Sequence, residues 1–299
     1  MNLRRLELFV AVVEEGSFTR AARRLGLAQP SLSQQVRALE QELGGALIER
    51  LPRGLRLTAV GKAFLPEAQA ALRSVQRAGL AARRALGVEA GELEIATLLS
   101  MAVGILPPAL TRLLDEHPAL TIRMHEYLHR GLLEEDFRNG VGDVALGPVP
   151  TAWPGPVERV GREEFVVVLP LSDPLGGRKS LPLAALAARS WILFPAGHGL
   201  SDVVTSACRA AGFQPRVAVR TTQVEAAARL AAAGLGPAMV PHNTVAAALP
   251  AHIVRLDPPV ARELAVYSRS ELSVPERAFV AALRDSPWRS RPRARTVLV

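Results

Sequence analysis

His125-Glu126-Tyr127-Leu128-His129 is a literal H-E-x-x-H, the spacing that sets two zinc-binding imidazoles one helical turn apart with a glutamate as general base. Its surroundings argue for another conformation. Leu120 to Glu126 alternates like a strand, so the two histidines are not expected to share a helical face. The extended form of the motif is also missing: the glycine falls at 131, one place early, and the next histidine is His198. A zinc-dependent hydrolase using His125, Glu126 and His129 therefore stands only as an alternative, and no metal or cofactor is expected. The single cysteine, Cys208, excludes an internal disulfide and a Cys-based zinc cluster. On an apolar helical segment it reads as a small buried hydrophobe. A nucleophile elbow, a phosphate loop and a dinucleotide fingerprint are all lacking, so catalysis is not expected.

A different chemistry lies near the N-terminus. From Pro30 onward, Leu32, Val36, Leu39 and Leu43 form one helical stripe, and Ser31, Ser33, Gln34 and Arg37 face the other way. Those side chains have the length and hydrogen-bonding groups to reach base edges and phosphates. Two short strand-like runs follow, Leu47 to Arg50 and Leu55 to Thr58, joined by Leu51-Pro52-Arg53-Gly54. Such a hairpin would set Arg50, Arg53 and Arg56 beside a phosphate backbone.

The elements that must position these groups are legible upstream and downstream. Leu3, Leu6, Phe9, Val10 and Val13 predict a first helix ended by Gly16, and Ser17 caps a short second one, Phe18 to Leu25. Two short helices, a tight turn and a polar outer face make a helix-turn-helix. Thr58 can cap a long helix, about 59–87. Its apolar positions Phe64, Ala68, Ala71 or Leu72, Val75, Ala78 or Gly79, Ala82 and Leu86 suit pairing with a second helix. Pro66 should bend it near its start.

Composition agrees. The chain has 299 residues, 49% of them apolar and 21% charged, enough for about two domains with real cores. No apolar run approaches the ~18 residues of a membrane span, and Glu7, Glu14 and Glu15 interrupt any signal-peptide core, so a cytoplasmic protein without membrane contact is expected. Residues 1–90 hold 14 Lys/Arg against 8 Asp/Glu, whereas residues 91–287 hold 18 against 20. A basic block on a near-neutral body points to a polyanion partner for that block. Four arginines near the C-terminus, Arg289, Arg291, Arg293 and Arg295, read as a frayed, solvated end.

Beyond a linker at 87–92, strands and helices alternate. Strands are expected at Leu93 to Leu98, Leu120 to Glu126, Val144 to Leu146, Glu164 to Leu169, Trp191 to Phe194, Arg216 to Arg220 and Ala238 to Val240. Helices are expected at 102–117, 130–139, 201–212 and 223–234, the last started by a Thr222–Glu225 capping box and stopped by Gly234. This alternation predicts a largely parallel sheet covered on both faces, built twice.

Residues 2–65 resemble the winged helix-turn-helix of LysR-type transcriptional regulators. The resemblance is carried by Gly16-Ser17-Phe18-Thr19-Arg20-Ala21-Ala22, Gln29-Pro30-Ser31-Leu32-Ser33-Gln34-Gln35, Leu39-Glu40, Leu43-Gly44, Leu47, Arg50 and Leu57-Thr58-Ala59-Val60-Gly61. Residues 91–299 are similar, more loosely, to that family's effector-binding half. The anchors are Gly91 to Ile95, Leu106-Pro107, His117-Pro118, Gly142 to Leu146, Ala210 to Phe213 and Ala233 to Gly236. The resemblance implies three parts: a DNA-binding domain at 1–58, a dimerising linker helix and hinge at 59–90, and a regulatory domain at 91–299. In the last, two Rossmann-like α/β subdomains, like those of periplasmic binding proteins, would comprise about 91–162 with 268–299, and about 163–267. It also implies DNA contacts from Thr19, Arg20, Gln29, Ser31, Ser33, Gln34, Arg37, Arg50, Arg53 and Arg56.

A small-molecule effector would lie between the subdomains, lined by Leu99, Ser100, Met101, His129, Gly147, Pro148, Val149, His198, Gly199, Leu200, Ser201, Thr222 and Gln223. Ser100 and Ser201 fall near helix starts, which suits a small carboxylate. The segment Gly197 to Asp202 with Cys208 looks like the peroxide-sensing members, whose reactive cysteine is replaced here by Gly199. The implied partners are double-stranded DNA, an effector, RNA polymerase and further copies of the chain in a homodimer or homotetramer. A non-specific architectural DNA-binding protein is the remaining alternative.

Overall fold

The computed structural model describes residues 1–51, 54–85, 91–288 and 296–298. Arg53, Leu86, linker residues 87–90 and the four tail arginines lie outside the described residues, as do the side chains of Arg50 and Ala82. The chain forms two units, Met1–Glu89 and Ala90–Val299.

The first unit comprises helices α1 (Leu3–Glu15), α2 (Phe18–Arg24) and α3 (Gln29–Leu43), strands β1 (Ile48–Arg50) and β2 (Leu55–Leu57), and helix α4 (Ala59–Ala85). Local chemistry sets these boundaries. The side chains of Asn2 and Ser17 accept backbone N–H groups at the starts of α1 and α2, and Gly16 and Gly44 close α1 and α3 in the left-handed conformation. Thr58 Oγ1 accepts the Gly61 N–H at 3.0 Å, starting α4, which continues through Pro66. Phe9, Val10, Ala21, Leu32, Val36, Leu39 and Leu47 make the core. Two further contacts fix the hairpin. Glu40 Oε1 accepts the N–H groups of Leu47 and Ile48 at 2.8 and 3.1 Å. Gly61 lies so near that a Cβ there would stand 2.1 Å from the Leu47 carbonyl oxygen.

The second unit runs β3 (Glu92–Leu98), α5 (Leu99–Gly104), α6 (Leu106–Glu116), β4 (Thr121–Tyr127), α7 (Arg130–Arg138), β5 (Val144–Pro148) and β6 (Val157–Pro170). It continues with β7 (Ser180–Leu181), β8 (Ser190–Leu193), α8 (Gly199–Ala210), β9 (Arg216–Arg220), α9 (Val224–Ala232) and β10 (Ala238–Pro241). The last elements are β11 (Ala251–Tyr267), α10 (Val274–Asp285) and β12 (Val297–Leu298). The main sheet has the order β10-β6-β11-β5-β3-β4, with β7 and β12 added to β11; β8 and β9 pair separately.

The sheet is mixed rather than largely parallel. β3 pairs parallel with β4 and β5, but β6 pairs antiparallel with β10 and β11, and β11 with β5. The cause is the length of β6 and β11, 14 and 17 residues, which lets one antiparallel pair serve two lobes. Leu93, Ile95, Leu113, Phe137, Leu146 and Phe279 pack in the first lobe, and Phe165, Val167, Trp191, Val204, Ala227 and Met239 in the second. Leu264, Val266 and Tyr267 belong to the first core and Val254, Leu256 and Val260 to the second. The chain therefore returns to the first lobe within β11, not after Tyr267.

Other expectations are adjusted by local geometry. The helix expected at 102–117 starts earlier and divides at Ile105, just ahead of Pro107 and Pro108. No capping box forms at Thr222–Glu225, where Gln223 is the N-cap without a side-chain bond. One does form at Ser273 and Glu276, starting α10. Beyond the four tail arginines, which lie outside the described residues, Val297 and Leu298 pair with Val260 and Ala261.

Candidate functional site

In the first unit α3 presents Ser31, Gln34, Gln35 and Arg37 to solvent while Leu32, Val36 and Leu39 are buried beneath them. Arg37 makes no hydrogen bond or ion pair with the described residues, so its charge is uncommitted. Ser33 departs from the expected outer face. It is buried and accepts a hydrogen bond from Gln29 Nε2 at 2.9 Å, so both side chains are spent in holding the start of α3. Leu43 departs the other way, 38% exposed at the last turn before Gly44. Thr19 and Arg20 are exposed on α2, with the Arg20 guanidinium donating to the Glu15 carbonyl. On the hairpin Arg56 faces Glu49 in register and donates to its carboxylate at 2.6 Å. Both ends are exposed, so this pair is weakly held and a phosphate can replace the carboxylate.

The lobes of the second unit close on a tight crevice with room for about one water molecule, lined by Leu98, Leu99, Ser100, Tyr127, Leu128, His198, Gly199, Leu200 and Arg262. The lobes touch directly there: the Gly199 N–H donates to the Leu128 carbonyl at 2.9 Å. His129 Nε2 stands 3.4 Å from the Asp202 carboxylate. His129, which is not part of the crevice lining, and His198, which is, both cap helices through Nδ1, His129 accepting from Gly131 and His198 from Leu200. His198 Nε2 then donates to the Thr222 carbonyl at 3.1 Å, the neutral tautomer. Burial holds its pKa below the usual histidine value, against the pull of the Thr222 hydrogen bond, and Arg262 and His129 add repulsion.

Leu99, Ser100, His198, Gly199 and Leu200 are thus gathered at the cleft. Met101 is not, being fully buried in the first core. Ser201 lines a separate groove with Thr205, Arg209 and Arg220. Gly147, Pro148, Val149 and Gln223 are absent from the lining, and Thr222 takes part only through its carbonyl.

The residue missing from the sequence expectation is Arg262. Its side chain is 3% exposed; Nε donates to Glu163 Oε2 at 2.6 Å and Nη2 to Ser100 Oγ at 3.0 Å. Its guanidinium carbon lies 5.5 Å from the Phe165 ring centroid. A signal was present: in Val260-Ala261-Arg262-Glu263-Leu264-Ala265-Val266, the arginine shares the inward parity of Val260 and Leu264.

The zinc motif is dismantled by its backbone. His125 and Glu126 point to opposite faces of β4, His129 follows the strand, and His125 Nε2 is 2.8 Å from Glu94. Among the described residues no three His, Cys, Asp or Glu side chains gather to hold a metal. Cys208 is buried in the second core, where desolvation pushes its thiol up to about 12. Among the described residues no helix is long and apolar enough to cross a membrane.

Comparison with known proteins agrees with this geometry. The family profile described as a bacterial regulatory helix-turn-helix protein of the lysR family matches residues 3–62, and the LysR substrate binding domain matches residues 86–288. A probable hydrogen peroxide-inducible genes activator of Mycobacterium leprae (strain TN) is 36% identical over 240 residues, 80% of this chain and 77% of that protein. The transcriptional dual regulator GltC of Bacillus subtilis (strain 168) is 29% identical over 86% of both. Among solved structures, full-length CbnR complexed with its target DNA has a TM-score of 0.74 at 27% identity, covering 95% of this chain and 99% of that one. The chain belongs to the LysR family of transcriptional regulators, DNA-binding proteins in which a helix-turn-helix is followed by an effector-binding domain, and it is not an enzyme.

Proposed function

We propose that this chain regulates transcription at specific DNA sites under the control of a small molecule held between the lobes of its second unit. One observation carries the reading: the cleft joins a few convergent polar groups, Arg262 and Ser100, to apolar walls from Leu98, Leu99, Leu128 and Leu200. A ligand there competes with the direct Gly199–Leu128 bond and so shifts a balance between lobe arrangements. Sequence is read by Ser31, Gln34 and Arg37, with Arg56 on phosphate. Of the apolar seam on α4, Phe64, Ala68, Ala71 and Leu72 pack on the unit's own core, whereas Val75, Ala78 and Gly79 are exposed. That exposed half pairs with a second copy, giving a homodimer or homotetramer that engages RNA polymerase in the cytoplasm. Peroxide sensing by a thiol is not supported, because Cys208 is the one cysteine and it is buried.

The test is an electrophoretic shift of the full chain on DNA upstream of its gene, with and without the small-molecule fraction of a cell extract. Leu128→Trp, which fills the cleft from an exposed position, serves as the control. Wild type should change affinity or mobility with the extract and the variant should not; an equal response from both, or none, would overturn the reading.

A further inference from the structure

We infer that the groove between α8 and β9 is a second binding site, one that takes an elongated organic dianion with an oxyanion at either end of an apolar body. The groove is separate from the crevice between the lobes: Leu200 lines the crevice, whereas Ser201 lines the groove. Its volume is about 380 Å³, within the ~300–1,000 Å³ of small-molecule sites.

The sequence of α8 builds one wall. Ser201, Thr205 and Arg209 follow at intervals of four, so they lie along one helical face over ~12 Å. β9 supplies Val217 and Arg220 to the same groove. The two arginines stand at opposite ends. His198 Nε2 donates to the Thr222 carbonyl, which ties the start of α8 to the end of β9, and there Arg220 Nη1 donates to the Phe194 carbonyl at 2.9 Å. Arg209 lies two turns beyond Ser201 on α8, with Gln214 and Pro215, where the chain turns back into β9. Between the arginines the lining is apolar, from Leu193, Val204 and Val217.

Neither charge is spent. Arg209 makes no hydrogen bond or ion pair with the described residues, and Arg220 commits Nη1 alone. The side chains of Ser201, Thr205 and Gln214 make no hydrogen bond with the described residues either. No Asp or Glu among the described residues lines the groove. Asp202, next to Ser201, turns instead to His129, whose Nε2 lies 3.4 Å from its carboxylate. Two unmatched guanidinium forks suit two carboxylates or phosphates, one at each end, and the apolar stretch suits a hydrocarbon body between them.

The experiment is titration calorimetry of the full-length protein with succinate, adipate, suberate and sebacate. Octanoate serves as the monoanion of suberate's length, and an analogue of suberate with a phosphate ester at one end compares the end groups. At least one of the longer dianions should bind at millimolar concentration or tighter, with succinate and octanoate at least about tenfold weaker. The tighter of suberate and its phosphate analogue identifies the end group. Arg209→Gln, a change to an exposed side chain, should weaken the best dianion about tenfold, and the double variant with Arg220→Gln should bind it no better than octanoate. Leu128→Trp, which fills the crevice, should leave the binding unchanged. No binding by any dianion overturns the proposal. Octanoate binding as tightly as suberate overturns the two-charge reading, and so does dianion binding that Arg209→Gln leaves intact. Loss of binding in Leu128→Trp places the ligand in the crevice and overturns the groove as its site.

Discussion

Removing either partner of the Glu163–Arg262 pair should destabilise the second unit far more than removing both. The side chains are 1% and 3% exposed, so neither charge has solvent to fall back on. Arg262→Met strands a carboxylate that already has Oε1 unpartnered, and the loss expected for an uncompensated buried charge is ~3–5 kcal/mol. Glu163→Leu leaves the guanidinium with Ser100 and the Phe165 ring, so it should fall at the lower end of that range. The double variant replaces the pair by apolar side chains of similar size and should lie within ~1–2 kcal/mol of wild type. The coupling between the two sites is then at least ~4 kcal/mol. Trp153, Trp191 and Trp288 all belong to the second unit, so tryptophan fluorescence of the full-length protein in urea reports that unit alone. With a urea slope of ~2 kcal/mol/M, the single variants should lower the midpoint by ~1.5–2.5 M. Single losses under ~1 kcal/mol, or costs that simply add in the double variant, would refute the reasoning.

Three further outcomes are expected. Cys208 in the native protein should react with a disulfide reagent such as Ellman's no faster than the unit opens, because burial pushes its thiol up to about 12; peroxide should leave DNA binding unchanged, and a fast-reacting thiol would contradict this. Stability should fall as pH drops below about 6.5, since the unfolded His198 takes up a proton at its ordinary pKa while the folded one resists it. The effect is absent above that value and should shrink in His198→Asn, read from urea midpoints across pH. Gly61→Ala should cost ~1–3 kcal/mol by circular dichroism and weaken DNA binding, because its methyl would stand 2.1 Å from the Leu47 oxygen.

The first unit was largely legible in the chain because its signals are local. Gly16, Ser17 and Thr58 each act within a few residues of where they stand, and the α3 stripe needs only helical spacing. Ser33 turns inward against helical spacing because a serine at the edge of a helical face follows its neighbour, here the Gln29 amide. In the second unit the early strands announced themselves by alternation, but the centre of the cleft did not. Glu163 and Arg262 are 99 residues apart in sequence, and Ser100 and Arg262 are 162 apart. They meet only because β6 and β11 pair along both lobes, a pairing interrupted by register shifts that hide its length in any short window. The same distance explains Ser201: helical spacing located it near the start of α8, but which wall it faces was decided by β9.

The most direct measurement is footprinting of the purified full-length protein on DNA upstream of its gene, with excess competitor DNA at two salt concentrations. A chain whose α3 reads bases and whose arginines hold phosphate should protect a defined site that weakens with salt yet resists competitor. Failure to bind any DNA at low salt, or protection that competitor abolishes at every site tried, would contradict it.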